Sequence, residues 1–322
     1  MQHRKLGQTA LNVSPLTLGT MTFGAQTDEA TARSMIDLAL ERGVTFIDTA
    51  NVYNDGRTEE ILGRILAGRR DKFVIASKVG IKNDQLPGEA GLSPAAIKKG
   101  IENSLRRLQT DYVDLYYLHQ PDYTIPLEDT LATLNDLVRA GKVRIAGASN
   151  YASWQLCRML WLAELNGWQP VQVVQPMYNL LARGIEQELL PMCREFQLAV
   201  VPYNPLAGGL LTGKHSSAAP LPGTRFDLLS FYRDRYWHDA NFAAVAELSK
   251  IAATTDRSLA RLALGWLLQQ QPVTSIIIGA SRLEQLRENL GALDDPPLSA
   301  DTLAACDAVW TSLRGVTPIY NR

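Results

Sequence analysis

Short apolar runs alternate along the chain with longer segments whose apolar residues recur at helical spacing. The runs are rich in branched side chains and contain almost no polar alternation, which is typical of parallel strands that helices cover. There are eight runs, at residues 16–18, 46–47, 73–76, 113–118, 143–148, 171–175, 199–203 and 274–278. Amphipathic segments lie between them, among others at residues 30–42, 94–108, 127–140, 153–166 and 185–196.

Strands that alternate with helices at this spacing indicate repeated βα units and hence a parallel sheet. Eight such units in about 300 residues are typical of a closed (β/α)8 TIM barrel, the α/β fold that we predict. A doubly wound open sheet is the alternative. The expected helix limits agree: Ser93 stands before a proline, as at a helix start, and Gly43, Gly141 and Gly167 follow helical segments.

Two segments fall outside the repeat. The residues before Leu16 are expected to form a β-hairpin, with Gly7 near its turn, that covers the bottom of the barrel. Residues 204–240 form a long loop after the seventh strand, and loops of this length in compact domains are usually functional. Because nothing marks a linker, we predict one domain over residues 1–322.

Composition narrows the class of protein. The chain has 322 residues, of which 46% are hydrophobic, and its formal net charge is −1. This excludes a disordered chain and argues against a nucleic-acid partner, because disorder needs few apolar residues and nucleic-acid binding needs a basic excess. The three cysteines are too far apart for a disulfide framework or a metal site. With no signal-peptide core and no membrane-spanning run, we expect a cytoplasmic protein.

Polar residues end several of the apolar runs, where a barrel places its active groups. The second run is followed by Asp48 and Tyr53, the third by Lys78 and the fourth by His119. The fifth and sixth runs end in Ser149, Asn150 and Gln175. Each alone has a structural explanation, such as a helix cap, a core tyrosine or a solvated lysine. Together, on successive strand ends, they indicate one cavity.

This set of side chains is suited to proton transfer at an alcohol or carbonyl oxygen. A buried Lys78–Asp48 ion pair is expected to lower the pKa of Tyr53 from about 10, which would tune it as a general acid. His119 can hold the same oxygen by a hydrogen bond. None of these groups can act on carbon, so a cofactor must supply a hydride.

The four residues, in the contexts FIDTANVY, ASKVG and YYLHQPD, resemble the catalytic tetrad of the aldo-keto reductases. The similarity runs from LGTMTFG to IIIGASRLEQLRENL and is greatest to the microbial branch related to the potassium-channel beta subunits. It implies a barrel that binds NADPH across its top without a Rossmann fold, and no GxGxxG motif follows a strand here. It also implies a small carbonyl substrate, with the catalytic roles carried by Asp48, Tyr53, Lys78 and His119.

The resemblance further implies a set of cofactor contacts. Tyr203 would stack on the nicotinamide, whose carboxamide would be bound by Ser149, Asn150 and Gln175. The cofactor path would be lined by Gly19, Thr20, Met21, Asp48, Asn204, Leu206, Gly208, Leu210 and Lys214. The adenosine end would be held by Gly279, Ser281, Arg282, Gln285, Glu288 and Asn289. Ser281 and Arg282 suit a 2′-phosphate, so NADPH is expected to be preferred to NADH.

Two departures from the family pattern bear on specificity. Gly279 and Gln285 stand where eukaryotic relatives carry a lysine and an arginine. Met21 stands where many relatives carry a tryptophan over the substrate, which predicts a wider site lined by Met21, Phe23, Tyr53 and His119. The aromatic Tyr236 and Trp237 of the long loop are further candidate walls.

We therefore expect an NADPH-dependent aldehyde or ketone reductase that needs no metal. The alternatives are a cofactor-binding regulatory subunit, like the channel beta proteins, and a sugar-modifying reductase. The sequence does not determine the natural substrate, because specificity lies in loops whose shape one sequence does not fix. It does not determine the oligomeric state, because it contains no coiled-coil repeat or other signal of assembly, and an oligomer remains possible.

Overall fold

The computed structural model describes residues 2–316. Eight parallel strands follow a short N-terminal hairpin, and helices connect them. The strands are β1 (Arg4–Lys5), β2 (Asn12–Val13), β3 (Leu16–Gly19), β4 (Phe46–Asp48), β5 (Val74–Val79), β6 (Val113–Leu118), β7 (Val143–Ser149), β8 (Val173–Gln175), β9 (Ala199–Val200) and β10 (Ile276–Gly279).

The helices are α1 (Glu29–Glu41), α2 (Arg57–Leu66), α3 (Pro94–Leu108), α4 (Leu127–Arg139), α5 (Ser153–Asn166), α6 (Leu189–Glu195), α7 (Arg225–Leu228), α8 (Ser230–Tyr236), α9 (Asp239–Thr254), α10 (Leu259–Leu268), α11 (Leu283–Gly291) and α12 (Ala300–Arg314). The predicted limits of α3 and α5 are confirmed. At the start of α3 the Ser93 hydroxyl accepts a hydrogen bond from the Ala96 amide at 3.2 Å, and Gly167 ends α5 with φ 65°.

The sheet closes on itself, which excludes the doubly wound alternative. Its order is β10-β3-β4-β5-β6-β7-β8-β9, and every neighbouring pair is parallel. A parallel bridge joins Val200 of β9 to Val273, three residues before β10, and the amides of Thr274 and Ile277 donate to the carbonyls of Val200 at 2.8 Å and Pro202 at 3.0 Å. The prediction of a (β/α)8 barrel is confirmed.

The N-terminal hairpin covers the bottom of the barrel, as predicted. β1 and β2 are antiparallel, and Leu6 and Val13 are fully buried in the core inside the barrel. The Arg4 guanidinium donates to the carbonyls of Val273 and Leu268, both at 3.0 Å. These contacts leave the opposite end of the barrel, at the carboxyl ends of the strands, for the site.

The segment after β9 is more ordered than the predicted loop. Within residues 204–240 it contains a 3-10 turn (Ala207–Thr212), α7 and α8, and α9 already begins at Asp239. Buried aromatic side chains hold it together: Phe226 packs edge to face on Trp237, with ring centroids 5.0 Å apart. The segment forms a folded cover beside the mouth of the barrel.

Candidate active site

Strand alternation explains why the polar side chains converge. Phe46 and Ala76 belong to the core inside the barrel. Asp48 and Lys78 stand two residues further along the same strands, so they point to the same inner face, one layer higher. Their side chains are 3% and 0% exposed. The same step from Val173 brings Gln175 to the inner face at the end of β8.

Tyr53 reaches this cavity from a strained turn that follows β4. The turn ends at Gly56, which has φ 86°, and Asn54 within it adopts left-handed φ 48° and ψ 46°. The Asn54 side-chain amide compensates for the strain, because it donates to the carbonyls of Met21 at 3.0 Å and Phe23 at 2.9 Å. The turn is thereby attached to the loop after β3.

Lys78 connects the polar side chains. Its Nζ donates to Asp48 Oδ1 at 2.5 Å, to the Thr49 carbonyl at 2.7 Å and to the Tyr53 hydroxyl at 3.2 Å. Gln175 Nε2 donates to the other Asp48 oxygen at 2.8 Å. All three ammonium donors of Lys78 are thus used, and both carboxylate oxygens of Asp48 accept.

The electrostatics of the site differ in one respect from the sequence expectation. Burial alone lowers the pKa of Lys78, but Asp48 and Tyr53 outweigh burial and raise it, so the lysine is charged. Burial raises the pKa of Tyr53, and Lys78 offsets only part of that rise. The expectation that Lys78 would bring this pKa below its usual value of 10 is therefore wrong for the protein alone. Tyr53 is protonated at neutral pH and able to donate.

His119 stands beside Tyr53 as a neutral imidazole. The two rings meet edge to face with centroids 6.2 Å apart. Burial and then the charge of Lys78 keep the pKa of His119 well below its usual value. Its Nδ1 is buried and has no hydrogen-bond partner among the described residues. A neutral ring retains one N–H group that can donate to a substrate oxygen.

The residues expected around a nicotinamide form one hydrogen-bonded chain next to the tetrad. Tyr203 donates to Asn150 Oδ1 at 2.7 Å, Asn150 Nδ2 lies 3.1 Å from Ser149 Oγ, and Ser149 donates to the Gln175 carbonyl at 2.9 Å. Asn150 has φ 64° and also donates to the His119 carbonyl at 2.8 Å. The structure therefore brings these residues together with the tetrad.

A path for an extended ligand continues along the segment after β9. Its backbone is left-handed at Asn204 (φ 55°) and Gly208 (φ 70°). A Cβ on Gly208 would lie 2.7 Å from Cδ1 of Tyr232, so only glycine fits there. Leu206 and Leu210 belong to the same turn, and Leu210 is fully buried. Leu210 can therefore offer only its backbone to a ligand, whereas Leu206 is partly exposed.

Two buried polar side chains on this segment lack partners within residues 2–316. They are Asn204, through its Nδ2, and His215, through both ring nitrogens. Buried polar groups are normally hydrogen-bonded, so these atoms fit a ligand with phosphate and amide groups. A dinucleotide site agrees with two features of this segment, the left-handed backbone at Asn204 and Gly208 and the unpaired polar atoms.

The residues predicted for an adenosine end also cluster. Gln285 Oε1 accepts from the Ser281 amide at 2.9 Å and from its hydroxyl at 3.2 Å, and Asn289 Nδ2 donates to the Gly279 carbonyl at 3.3 Å. Gly279 pairs with Gly19, and Gly19 pairs with Asp48, so this cluster and the tetrad occupy adjacent strand ends. The Thr20 hydroxyl donates to the Asp48 carbonyl at 2.9 Å.

Positive charge gathers on the outer side of this cluster. Burial and the neighbouring Arg282 lower the pKa of Lys214, which places the two cations near each other. Two cations at one place fit an anionic group. Glu288, which was predicted to hold the adenosine end, instead accepts a hydrogen bond from the Ser258 hydroxyl at 2.5 Å.

Sequence reasoning missed one cation at this place. Arg225, at the start of α7, has its Nη2 3.2 Å from where a Cβ of Gly279 would lie, and its Nη1 lies 3.5 Å from the Tyr232 hydroxyl. No periodic pattern marks a single arginine in a long loop, so only the folded segment could reveal it. Gly279, which has no side chain, leaves room for this guanidinium.

Two of the residues predicted as pocket walls are not available for that role. Phe23 is fully buried in the core between the sheet and the helices. Tyr236 is 2% exposed, and its hydroxyl is within 3.1 Å of Asn179 Nδ2 and 3.0 Å of Met177 Sδ. Both predictions are corrected: these rings stabilise the loops around the site. Met21 and Trp237 are partly exposed.

With the geometry established, comparisons identify the family. The sequence matches the family model described as Aldo/keto reductase family over residues 15–311. The chain belongs to this family. The predicted resemblance is thereby confirmed, and the protein is an oxidoreductase whose family reduces carbonyl groups.

Several curated proteins are similar to this aldo/keto reductase over nearly its full length. Aflatoxin B1 aldehyde reductase member 2 of Mus musculus is 38% identical, covering 95% of this chain and 87% of its own. The uncharacterized oxidoreductase YrpG of Bacillus subtilis is 37% identical, covering 99% and 98%. A probable voltage-gated potassium channel subunit beta of Oryza sativa is 36% identical, covering 92% and 93%.

Within residues 2–316, no helix combines the length and apolar character needed to cross a membrane. The same part of the chain contains no group of three or more His, Cys, Asp or Glu side chains that could hold a metal ion.

Proposed function

We propose that this protein is an NADPH-dependent reductase of aldehydes and ketones, with Tyr53 as the proton donor. The observation that carries the proposal is the position of Lys78 Nζ, 2.5 Å from Asp48 and 3.2 Å from the Tyr53 hydroxyl. A charged ammonium at this distance stabilises the tyrosinate that remains after the proton has left. No other role of these four side chains requires a buried lysine between a carboxylate and a phenol.

NADPH would supply the hydride that adds to the carbonyl carbon. The residues that would hold it are those of the path described above. Ser149, Asn150 and Gln175 would bind the carboxamide, and Tyr203 would stack on the ring. The segment from Asn204 to Lys214 would bind the diphosphate, and the cluster from Gly279 to Asn289 would bind the adenosine.

The proton then has a defined route. The Tyr53 hydroxyl gives its proton to the carbonyl oxygen, which becomes the alcohol, and the phenolate that forms accepts from Lys78. Asp48 keeps Lys78 charged and is itself held by Gln175. His119, neutral at working pH, donates to the same carbonyl oxygen and fixes its position.

The substrate class follows from the same groups. They recognise only a carbonyl oxygen, so the shape of the mouth would determine specificity, and Met21, which is partly exposed, would leave that mouth wide. Small aldehydes are the substrates that we propose first, in agreement with relatives that are named aldehyde reductases. A regulatory subunit is the second candidate, supported by the similarity to proteins named as channel subunits.

A panel of aldehydes and ketones, followed by NADPH absorbance, tests the proposal. We expect many turnovers per protein molecule with at least one aldehyde, because after each cycle NADPH would replace the oxidised cofactor and solvent would return the tyrosine proton. A single turnover with every substrate would favour the regulatory role. Absence of any NADPH oxidation, together with absence of NADPH binding, would contradict the proposal.

The preference for NADPH is expected to depend on Arg282, at the start of α11. Its guanidinium, close to Lys214, suits a 2′-phosphate, and a hydrogen bond to a charged group contributes about 1.5–3 kcal/mol. Arg282→Ala should therefore raise the Kd of NADPH roughly tenfold to a hundredfold and leave that of NADH unchanged. Fluorescence titration measures both constants.

Arg287→Ala is the matched control for this experiment. Arg287 lies on the same helix, is exposed and carries the same charge, so its removal should change neither constant by much. If Arg282→Ala weakens NADPH and NADH equally, or neither of them, Arg282 does not contact the 2′-phosphate.

A further inference from the structure

The turn that carries Tyr53 is attached to a loop outside the set of catalytic side chains. This is the β5–α3 loop, residues 80–93, which follows the strand of Lys78. Asn51, two residues before Tyr53, is fully buried, and its Nδ2 donates to Glu89 Oε2 at 2.9 Å. The Asn51 backbone amide donates to the Lys78 carbonyl at 3.3 Å. Asn51 therefore connects the turn to both the loop and the strand of the lysine.

Glu89 is held in place by the buried Arg107 of α3. Glu89 is 2% exposed, and Arg107 Nη1 and Nη2 donate to its two carboxylate oxygens at 3.3 and 3.2 Å. Burial alone would raise the pKa of Glu89, but its hydrogen bonds, first among them those from Arg107, outweigh burial and lower that pKa. Glu89 is therefore charged at neutral pH and accepts hydrogen bonds on both oxygens.

Arg107 also packs directly against the turn of Tyr53. Its Nε donates to Oε2 of Glu59, a fully buried residue in the first turn of α2, at 2.8 Å, which fixes the guanidinium from a second side. Gly56 ends the turn with φ 86°, and a Cβ there would lie 2.9 Å from Arg107 Cδ. The turn thus contacts the arginine at one end and the carboxylate that this arginine holds at the other.

The turn needs external support because its backbone is strained. Asn54 and Asp55 follow Tyr53 with φ 48° and 58°, a left-handed conformation that residues other than glycine keep only where their surroundings hold them. The Asn54 side chain attaches one side of the turn to the loop after β3. On the other side, Asn83 Nδ2 of the β5–α3 loop donates to Asp55 Oδ1 at 2.9 Å. Tyr53 therefore lies between two attachments to this loop, at Asn51 and at Asp55.

The β5–α3 loop can serve as a fixed support because it is closed on itself. Gly80 and Ala90 form a parallel bridge, and the Gly91 amide donates to the Gly80 carbonyl at 3.1 Å. Glu89 directly precedes this bridge. Its position is thus determined by the backbone of the loop as well as by Arg107.

We propose that Glu89 and Asn51 are positioning residues for carbonyl reduction. Glu89 fixes Asn51, and Asn51 fixes the turn that directs the Tyr53 hydroxyl to the substrate oxygen. This inference rests on the function proposed above, in which Tyr53 donates the proton. The transfer depends steeply on the placement of the donor, since a misplacement of about 1 Å costs roughly a hundredfold in rate. Neither positioning residue touches the substrate; both act through Tyr53.

Asn51→Ala is expected to lower kcat roughly tenfold to a hundredfold and to leave the Kd of NADPH unchanged. The variant removes the hydrogen bond to Glu89 and keeps those from Arg107, so the loop stays in place while the turn is released. Steady-state kinetics with the most reactive aldehyde of the panel, fluorescence titration with NADPH and denaturant titration measure activity, binding and stability. Asn51→Ser, whose hydroxyl is too short to reach Glu89, should lose as much activity and is the second variant if Asn51→Ala does not fold.

Asn103→Ala is the matched control. Asn103 lies on α3, and its Nδ2 donates to the other oxygen of Glu89, Oε1, at 2.6 Å. This variant loses the same type of hydrogen bond to the same carboxylate, so its denaturation midpoint should fall about as far as that of Asn51→Ala. Its kcat should stay close to that of the wild type. Equal losses of kcat in the two variants would mean that Glu89 only holds the fold, and the inference would be wrong.

A double-variant cycle separates an effect through Tyr53 from a general loss of order. In the Tyr53→Phe background the hydroxyl is absent, so Asn51→Ala should lower kcat by no more than about twofold further. The full loss in both backgrounds would overturn the inference. A near wild-type kcat of Asn51→Ala, with activity lost in Tyr53→Phe, would also overturn it but leave the proposed function intact. A near wild-type kcat of Tyr53→Phe would refute both.

Discussion

Tyr53→Phe is expected to lower kcat for aldehyde reduction roughly 10²- to 10⁴-fold, the usual contribution of a positioned general acid. The substitution removes one oxygen and keeps the ring that meets His119 edge to face. The Asp48–Lys78 pair and the cofactor path do not depend on the hydroxyl, so the Kd of NADPH should not change. Steady-state kinetics and fluorescence titration together measure the two effects.

Tyr151→Phe is the matched control for Tyr53→Phe. Tyr151 follows the end of β7, is also mostly buried and loses a single hydrogen bond on substitution, from its hydroxyl to the Gln120 carbonyl at 3.2 Å. Turnover should stay close to that of the wild type. A Tyr53→Phe variant with near wild-type kcat would refute Tyr53 as the acid, and a variant with no NADPH binding would show a structural role instead.

The pKa direction of Tyr53 adds a condition to this prediction. Because burial raises the pKa of the phenol, Tyr53 keeps its proton throughout the neutral range. A proton donor is active below its pKa, so the reduction rate of the wild type should not fall between acidic and neutral pH on account of Tyr53. The sequence could predict that Lys78 lies close to Tyr53. It could not predict that burial of the phenol raises its pKa by more than the charge of Lys78 lowers it.

Much of the fold could be predicted from the sequence because its local signals agree with the barrel. Ser93 and Gly167 mark helix ends by side-chain capping and left-handed backbone, which depend on few residues. β9 was less predictable. The apolar run 199–203 predicts a longer strand, but the regular strand covers only Ala199–Val200, although the amides of Val201 and Tyr203 still donate to the carbonyls of Val174 and Pro176, both at 2.9 Å.

The grouping of the four polar side chains could be predicted because Asp48, Lys78 and His119 stand at or beside strand ends, which converge in a barrel, and Tyr53 follows one of these ends by five residues. The pocket walls could not, because an aromatic residue in a loop gives the same signal whether it lines a cavity or fills the core. Phe23 and Tyr236 are of the second kind. Likewise, the apolar periodicity of α5 does not distinguish side chains that face the sheet from Trp154 and Trp161, which face outward.

Lys78→Met is expected to destabilise the fold as well as abolish most activity. It leaves the Asp48 carboxylate in a site where the side chain is 3% exposed, with Gln175 as its remaining side-chain donor. Removing one partner of a buried ion pair costs about 3–5 kcal/mol of unfolding free energy. Burial already raises the pKa of Asp48, and loss of Lys78 should raise it further, so stability should be greatest below the unfolded pKa and fall as pH rises from there through the higher folded pKa. Denaturant titrations at acidic and neutral pH measure this.

The double variant Asp48→Asn/Lys78→Met separates stability from catalysis. It removes both charges, keeps an amide oxygen to accept from Gln175 and fills the lysine channel with an unbranched apolar side chain. We expect most of the unfolding free energy to return and its dependence on pH to disappear, because no buried carboxylate is left. Turnover should remain as low as in Lys78→Met, because the tyrosinate formed after proton transfer has no ammonium beside it. Recovery of turnover together with stability would mean that the ion pair only holds the fold, and the role proposed for Lys78 would then be wrong.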